Sequence, residues 1–239
     1  MSYSLGPGPL TPAVRALIVL NVAGFLATVI LPSLTVWFGL IPALVVGRWW
    51  IWQPVTYMFM HGGVFHLLFN MLALWMFGLE LERLWGTRFF VRYYLVCGVG
   101  AALTTVLLSL LPYGFADDIY RAVTVGASGA IYGLLLAYGL TYPNRPIYMY
   151  FVFPIPAKIF VLIIGAISFF SSVTGTGGGV AHATHLGGLV VGYVYLMSTG
   201  TQFTSTLRSK WLRWRMTQMR KKFGVHQGGR PGGPDRWVH

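Results

Sequence analysis

Residues 125–142 read VGASGAIYGLLLAYGLTY, an apolar run without a charged side chain, closed by Pro143. As a helix this run reaches about 27 Å, close to the ~30 Å of hydrocarbon in a bilayer. Five similar runs accompany it, at about 13–31, 62–81, 90–111, 155–173 and 180–199. Of the 239 residues 56% are hydrophobic and only 9% are charged. Soluble domains carry about 25% charged residues, so too few polar side chains are present to build a water-facing exterior. The pattern predicts an all-α, polytopic membrane helical bundle with six transmembrane helices.

The segments between the runs read as connections. Residues 32–55 hold Trp37, Trp49, Trp50 and Trp52, a composition suited to the membrane interface rather than to a crossing. Residues 112–122 read as a loop holding Asp117, Asp118 and Arg121, and Gly175–Gly179 as a flexible turn. The expected organisation is a cytoplasmic segment over 1–12, a six-helix transmembrane domain over 13–199, for which the polar residues below imply catalysis, and a basic cytoplasmic tail over 200–239. The start is polar and rich in Pro and Gly, and the first run is long enough to remain as a span, so no cleaved leader is expected.

Charge orients the bundle. With six spans, fifteen of the 17 basic residues fall on the side that holds both termini, and only Arg48 and Arg121 fall on the other. The positive-inside rule then places both termini in the cytoplasm of a multi-pass protein of the cell (plasma or inner) membrane. Nine of the bases lie in the tail. Beside a membrane, such a tail is explained by anionic lipid, so nucleic acid is not an expected partner and membrane lipid is. Trp211, Leu212 and Trp214 among these bases also suit an interfacial helix. The single cysteine, Cys97, excludes an intrachain disulfide and reads as a small core residue.

Polar side chains inside spans are expensive and mark function. Ser128 lies in Gly126-Ala127-Ser128-Gly129, expected about six residues into a helix that begins near Ala122. His185 lies one turn before Gly188, and Gly192 follows. His66 and Asn70 are four apart and share one helix face, with His61 just before them. Each cluster alone has a structural reading. Gly129 with Gly133, or Gly188 with Gly192, makes a small-residue packing face, and a buried imidazole or amide can be satisfied by one hydrogen bond.

Taken together, the clusters carry chemistry. The topology puts all three at the non-cytoplasmic ends of their spans, at one depth. A serine hydroxyl needs a base before it attacks a carbonyl, and His185 supplies one. The oxyanion then needs preorganised donors, for which His66, Asn70 and the Ser128 backbone N–H are the candidates. No carboxylate lies in a span at that depth, so a Ser–His dyad is expected rather than a triad. Tyr132, four residues after Ser128, is placed to pack on the His185 ring. A metal centre is not expected, because HExxH is absent and no acid accompanies the histidines. No cofactor is required.

These motifs resemble those of the rhomboid family of intramembrane serine proteases, over residues 45–195. Gly126-Ala127-Ser128-Gly129 is similar to the family's GxSG nucleophile motif. His185 with Gly188 and Gly192 is similar to HxxGxxxG, and His66 with Asn70 to the HxxxN oxyanion pair, with His61 ahead of it. Glu82-Arg83 followed by Gly86 resembles the element that closes span 2. One departure is Trp52-Gln53, where relatives often carry Trp-Arg, which puts the anchoring of the first connection in question. The resemblance implies an endopeptidase acting on transmembrane segments of membrane-protein substrates. Such segments would enter between spans 2 and 5 and unwind near Ser128, with 175–179 as a cap. The alternatives are a rhomboid-like pseudoprotease that binds membrane helices and a small-solute transporter.

Overall fold

The structure, a computed structural model, describes residues 8–112, 114–149, 153–174, 179–199 and Met216. The chain divides into two compact units, 1–199 and 200–239. The basic tail falls in the second unit and, Met216 apart, lies outside the described residues.

The first unit is mostly helical. Helix α1 runs Pro12–Ile30, with proline at its first position, where no N–H is needed. Three short helices follow: α2 (Leu34–Phe38), α3 (Pro42–Arg48) and α4 (Gln53–Thr56). Then α5 (Val64–Ala73) continues through a π-helical stretch, Leu74–Gly78, into α6 (Leu79–Trp85). Helix α7 spans Thr87–Leu108, α8 Gly114–Arg121 and α9 Ser128–Thr141. Strands β1 (Pro146–Met149) and β2 (Phe153–Pro156) form an antiparallel hairpin, followed by α10 (Ala157–Thr174) and α11 (Gly179–Ser198).

Among the described residues, four helices are long and apolar enough to cross a bilayer: Pro12–Ile30, Val64–Trp85, Thr87–Leu108 and Ala157–Thr174. Helix α9 is apolar but has 14 residues, about 21 Å, which falls short of a full crossing. Three expectations therefore change. Asp117 and Asp118 sit in a helix, α8, rather than in a loop, where Ala122 N–H closes the last turn on Asp118 O at 3.1 Å. A two-stranded hairpin interrupts the all-α pattern, its Pro146, Pro154 and Pro156 being tolerated because each strand is an edge. Ser128 is the first residue of its helix, not six residues in, because the backbone just before it is bonded to other segments. Leu40 and Thr124 exchange backbone hydrogen bonds of 2.8 and 2.9 Å, and Gly126 N–H donates to Tyr57 O at 2.9 Å. Of the expected turn, 175–178 lie outside the described residues, and Gly179 opens α11.

The core lies where α7, α9 and α11 meet. Glycines set the spacing there. A Cβ on Gly188 would overlap the Gly129 carbonyl, and one on Gly192 would come within 3.2 Å of the Gly133 Cα. Small residues thus let two backbones touch, the packing available inside a membrane. Tyr93 Oη donates to Gly133 O at 2.8 Å, and Thr105 and Thr184 pair through their hydroxyls at 2.7 Å, tying α7 to both partners.

Two anchors hold the first half of the chain. The buried Glu82 carboxylate accepts from Ala13 N–H and Val14 N–H, each at 3.0 Å, from Thr87 Oγ1 at 2.7 Å, and from Thr11 Oγ1. It caps α1 from another helix, its negative charge meeting the positive end of the dipole. Gln53 is fully buried; its Oε1 accepts from Ile41 N–H at 2.9 Å and its Nε2 donates to Val36 O at 3.0 Å. The neutral amide therefore anchors the first connection where the sequence departs from Trp-Arg. Trp52 Nε1 donates to Trp37 O, and Trp37, Trp50 and Trp52 stack in series.

Candidate active site

Ser128 stands at the N-terminus of α9, where the first N–H groups of a helix have no carbonyl four residues back. The turn into it passes through Gly126, with φ +122°, a conformation that side chains with a Cβ rarely adopt. The same position needs glycine for space. A Cβ there would lie 2.7 Å from Cε1 and Nε2 of His66 and 3.8 Å from Ser128 Oγ. Gly126 thus lets the His66 ring approach the serine.

His185 projects from α11 toward the same point. Its Nε2 lies 2.7 Å from Ser128 Oγ, a full hydrogen bond. The Tyr132 ring stacks on the imidazole, with centroids 4.2 Å apart and planes 10° from parallel. Tyr132 Oη in turn accepts from Ser168 Oγ of α10 at 3.4 Å. Gly129 directly follows Ser128 and Gly188 lies about one turn after His185, so the backbone approach that packs α9 on α11 also sets the Ser128–His185 distance.

The α5 residues complete the group. Gly62 N–H donates to His66 Nδ1 at 3.4 Å, which leaves Nε2 to carry the ring proton, toward Gly126 and Ser128. Asn70 is buried, and its Nδ2 donates to His66 O at 2.7 Å, which leaves one amide proton for another acceptor. His61 lies in the segment before α5, its ring edge-on to His66 at 5.1 Å. Burial, helped by the nearby His66, holds the His61 imidazole down at about 4, so it is neutral at physiological pH.

The structure therefore brings Ser128, His185, Tyr132, His66 and Gly126 together, with Gly129 and Gly188 beneath them and Asn70 and His61 alongside. Ser128, His66, Tyr132 and His185 are each only partly buried. Sequence reading missed Tyr57 and Thr124. Tyr57 O holds Gly126 in place while its Oη donates to Gly98 O at 2.7 Å. Their only signal was proximity to apolar segments, which says nothing of a pairing between residues so far apart in the chain.

Comparison with known proteins bears on the family. Residues 48–202 match the Rhomboid domain. The chain is 32% identical over 154 residues to Rhomboid protease GluP of Bacillus subtilis, covering 64% of this chain and 27% of that one. It is 32% identical over 138 residues to Rhomboid protein 1, mitochondrial, of Saccharomyces cerevisiae, covering 57% and 38%. To Rhomboid protease AarA of Providencia stuartii it is 29% identical over 163 residues, covering 61% and 54%. The chain thus spans about a quarter to a half of the length of these relatives. With the domain match covering more than half of this chain and every residue of the cluster inside it, the chain belongs to the rhomboid family and is a multi-pass membrane protein.

Proposed function

We propose that the chain is an intramembrane serine endopeptidase that cleaves transmembrane segments of membrane proteins through a Ser128–His185 dyad. The observation that carries this reading is the 2.7 Å contact between Ser128 Oγ and His185 Nε2. His185 Nε2 takes the hydroxyl proton as Oγ attacks the scissile carbonyl carbon. The oxyanion draws on the Ser128 N–H at the positive end of α9, on His66 Nε2–H and on the remaining Asn70 amide proton. The tetrahedral adduct collapses, the C–N bond breaks, and His185 returns its proton to the leaving amine. Water, deprotonated by the same imidazole, then hydrolyses the acyl ester on Ser128. Tyr132 holds the plane of the imidazole through both steps.

In this reading six helices cross the membrane, α9 and α11 completing the four long spans, and both termini lie in the cytoplasm. Residues 1–12 and 200–239 are then cytoplasmic segments flanking the catalytic domain, and the basic tail meets anionic lipid. The substrate helix enters between the α5–α6 span and α10 and unwinds to expose its carbonyls. Two relatives named as rhomboid proteases support the activity. The test is a fluorophosphonate probe on the full chain in micelles, with mass spectrometry of the labelled residue. Labelling at Ser128, lost on His185→Ala, is the expected result. No labelling, with cleavage of no membrane-spanning substrate, would favour a helix-binding pseudoprotease instead.

A further inference from the structure

The dyad leaves the far nitrogen of His185 to be accounted for. When Ser128 Oγ–H donates to Nε2, a neutral imidazole carries its proton on Nδ1. That Nδ1 is buried and has no hydrogen-bond partner among the described residues. One turn earlier on α11, Nδ1 of His182 is buried and unpartnered too. The two rings stand nearly perpendicular, at 86°, with centroids 5.7 Å apart. Buried polar atoms in folded proteins are satisfied by protein or by ordered water, and two such nitrogens on adjoining rings call for a common partner.

We propose that His182 is a positioning residue for His185: its Nδ1 accepts, through one bridging water, the hydrogen bond offered by His185 Nδ1–H. The inference rests on the reading of Ser128 and His185 as nucleophile and base. The Tyr132 stack sets the plane of the His185 ring but not which nitrogen bears the proton. An acceptor at Nδ1 does set it, and keeps the Nε2 lone pair free for the serine proton. Once that proton arrives the ring is a cation, and Nδ1–H becomes a stronger donor. The contact therefore strengthens as the transition state forms, the condition for accelerating chemistry rather than only binding. Among the described residues no carboxylate is bonded to His185. The titratable side chains nearest its ring are His182 on the same helix, Tyr132 from α9 and His66 from α5.

The experiment compares fluorophosphonate labelling rates of Ser128 in the full-length wild type, His182→Phe and His182→Gln, each checked for folding by thermal unfolding in micelles. His182→Phe keeps a ring of similar shape without an acceptor and should label roughly tenfold more slowly, a fraction of the loss seen when a catalytic imidazole is held in the wrong tautomer. His182→Gln restores an acceptor and should return to within about threefold of the wild type. A wild-type rate in His182→Phe overturns the inference, and so does a His182→Gln rate as slow as that of His182→Phe, since packing alone would then explain the loss. If His182→Phe does not fold, His182→Leu takes its place in the same comparison. Failure of the wild type to label at Ser128 would instead overturn the protease reading on which the inference rests.

Discussion

Helices α9 and α10 are both apolar, yet they are held in opposite ways. Helix α9 buries nine of its 14 residues, including Gly129, Gly133 and Gly139, among its neighbours. Helix α10 is longer, at 18 residues, but of these only Ala157 and Ser168 are buried, while Leu162, Phe170 and Val173 are at least 65% exposed. Inside a bilayer hydrophobicity does not distinguish a neighbouring helix from lipid, so close backbone approach decides which helices are fixed. Glycine gives α9 that approach to α11, whereas the bulky side chains of α10 face lipid. The nucleophile and base thus sit on the glycine-packed pair, and α10 borders the site through the hydrogen bond of Ser168 to Tyr132.

The contrast is broken first at the dyad. Ser128→Ala and His185→Ala should each lower cleavage of a membrane-spanning reporter by roughly 10⁴-fold while thermal unfolding stays near that of the wild type. A fold lost with the activity would mean that the pair is structural. Next in size is Gly188→Val, which drives a side chain into the Gly129 carbonyl. It should cost about 3 kcal/mol in steric unfolding or denaturant titration, with activity falling as α9 and α11 separate. Retained stability would show that the glycine contact does not hold this helix pair. Asn70→Ala should slow cleavage by about 10²-fold with little change in apparent affinity, as expected for a donor used only in the transition state. An unchanged rate would confine Asn70 to its bond with His66 O.

The smaller effects lie away from the glycine contact. The His61 imidazole is held neutral in the folded chain, near 4, against an unfolded value of about 6.5. The unfolded chain therefore binds the extra proton first as pH falls, and stability should decline from about pH 6.5 toward pH 4. His61→Phe should flatten that part of a melting-temperature profile, and an unaltered slope would assign the acid sensitivity elsewhere. Least of all, Phe170→Ala on the lipid face of α10 should shift stability by no more than about 0.5 kcal/mol. A larger loss in the same unfolding assay would mean that α10 is packed rather than peripheral.

Much of this was readable from particular residues. Ser128, His185, His66 and Asn70 stood out because polar side chains are rare in apolar runs, and the glycines beside them marked the faces that meet. The helix start at Ser128 was not readable, since 125–127 are as apolar as the helix itself, and the partners that bind Thr124 and Gly126 just before it, Leu40 and Tyr57, come from a distant connection. The role of Gln53 was hidden for a related reason. Its identity showed a missing arginine, but not that two backbone groups of 36–41 lie where an uncharged amide satisfies both.

Composition and spacing were enough to establish a helical membrane chain with a serine, an imidazole and glycine-lined faces, because burial in lipid demands apolar runs of set length and penalises every polar exception. The 2.7 Å contact of Ser128 with His185, the stacking of Tyr132 and the approach of His66 across Gly126 emerged from the folded chain alone. Each depends on how deep two helices start and how closely their backbones pass, and these are set by contacts between segments dozens of residues apart.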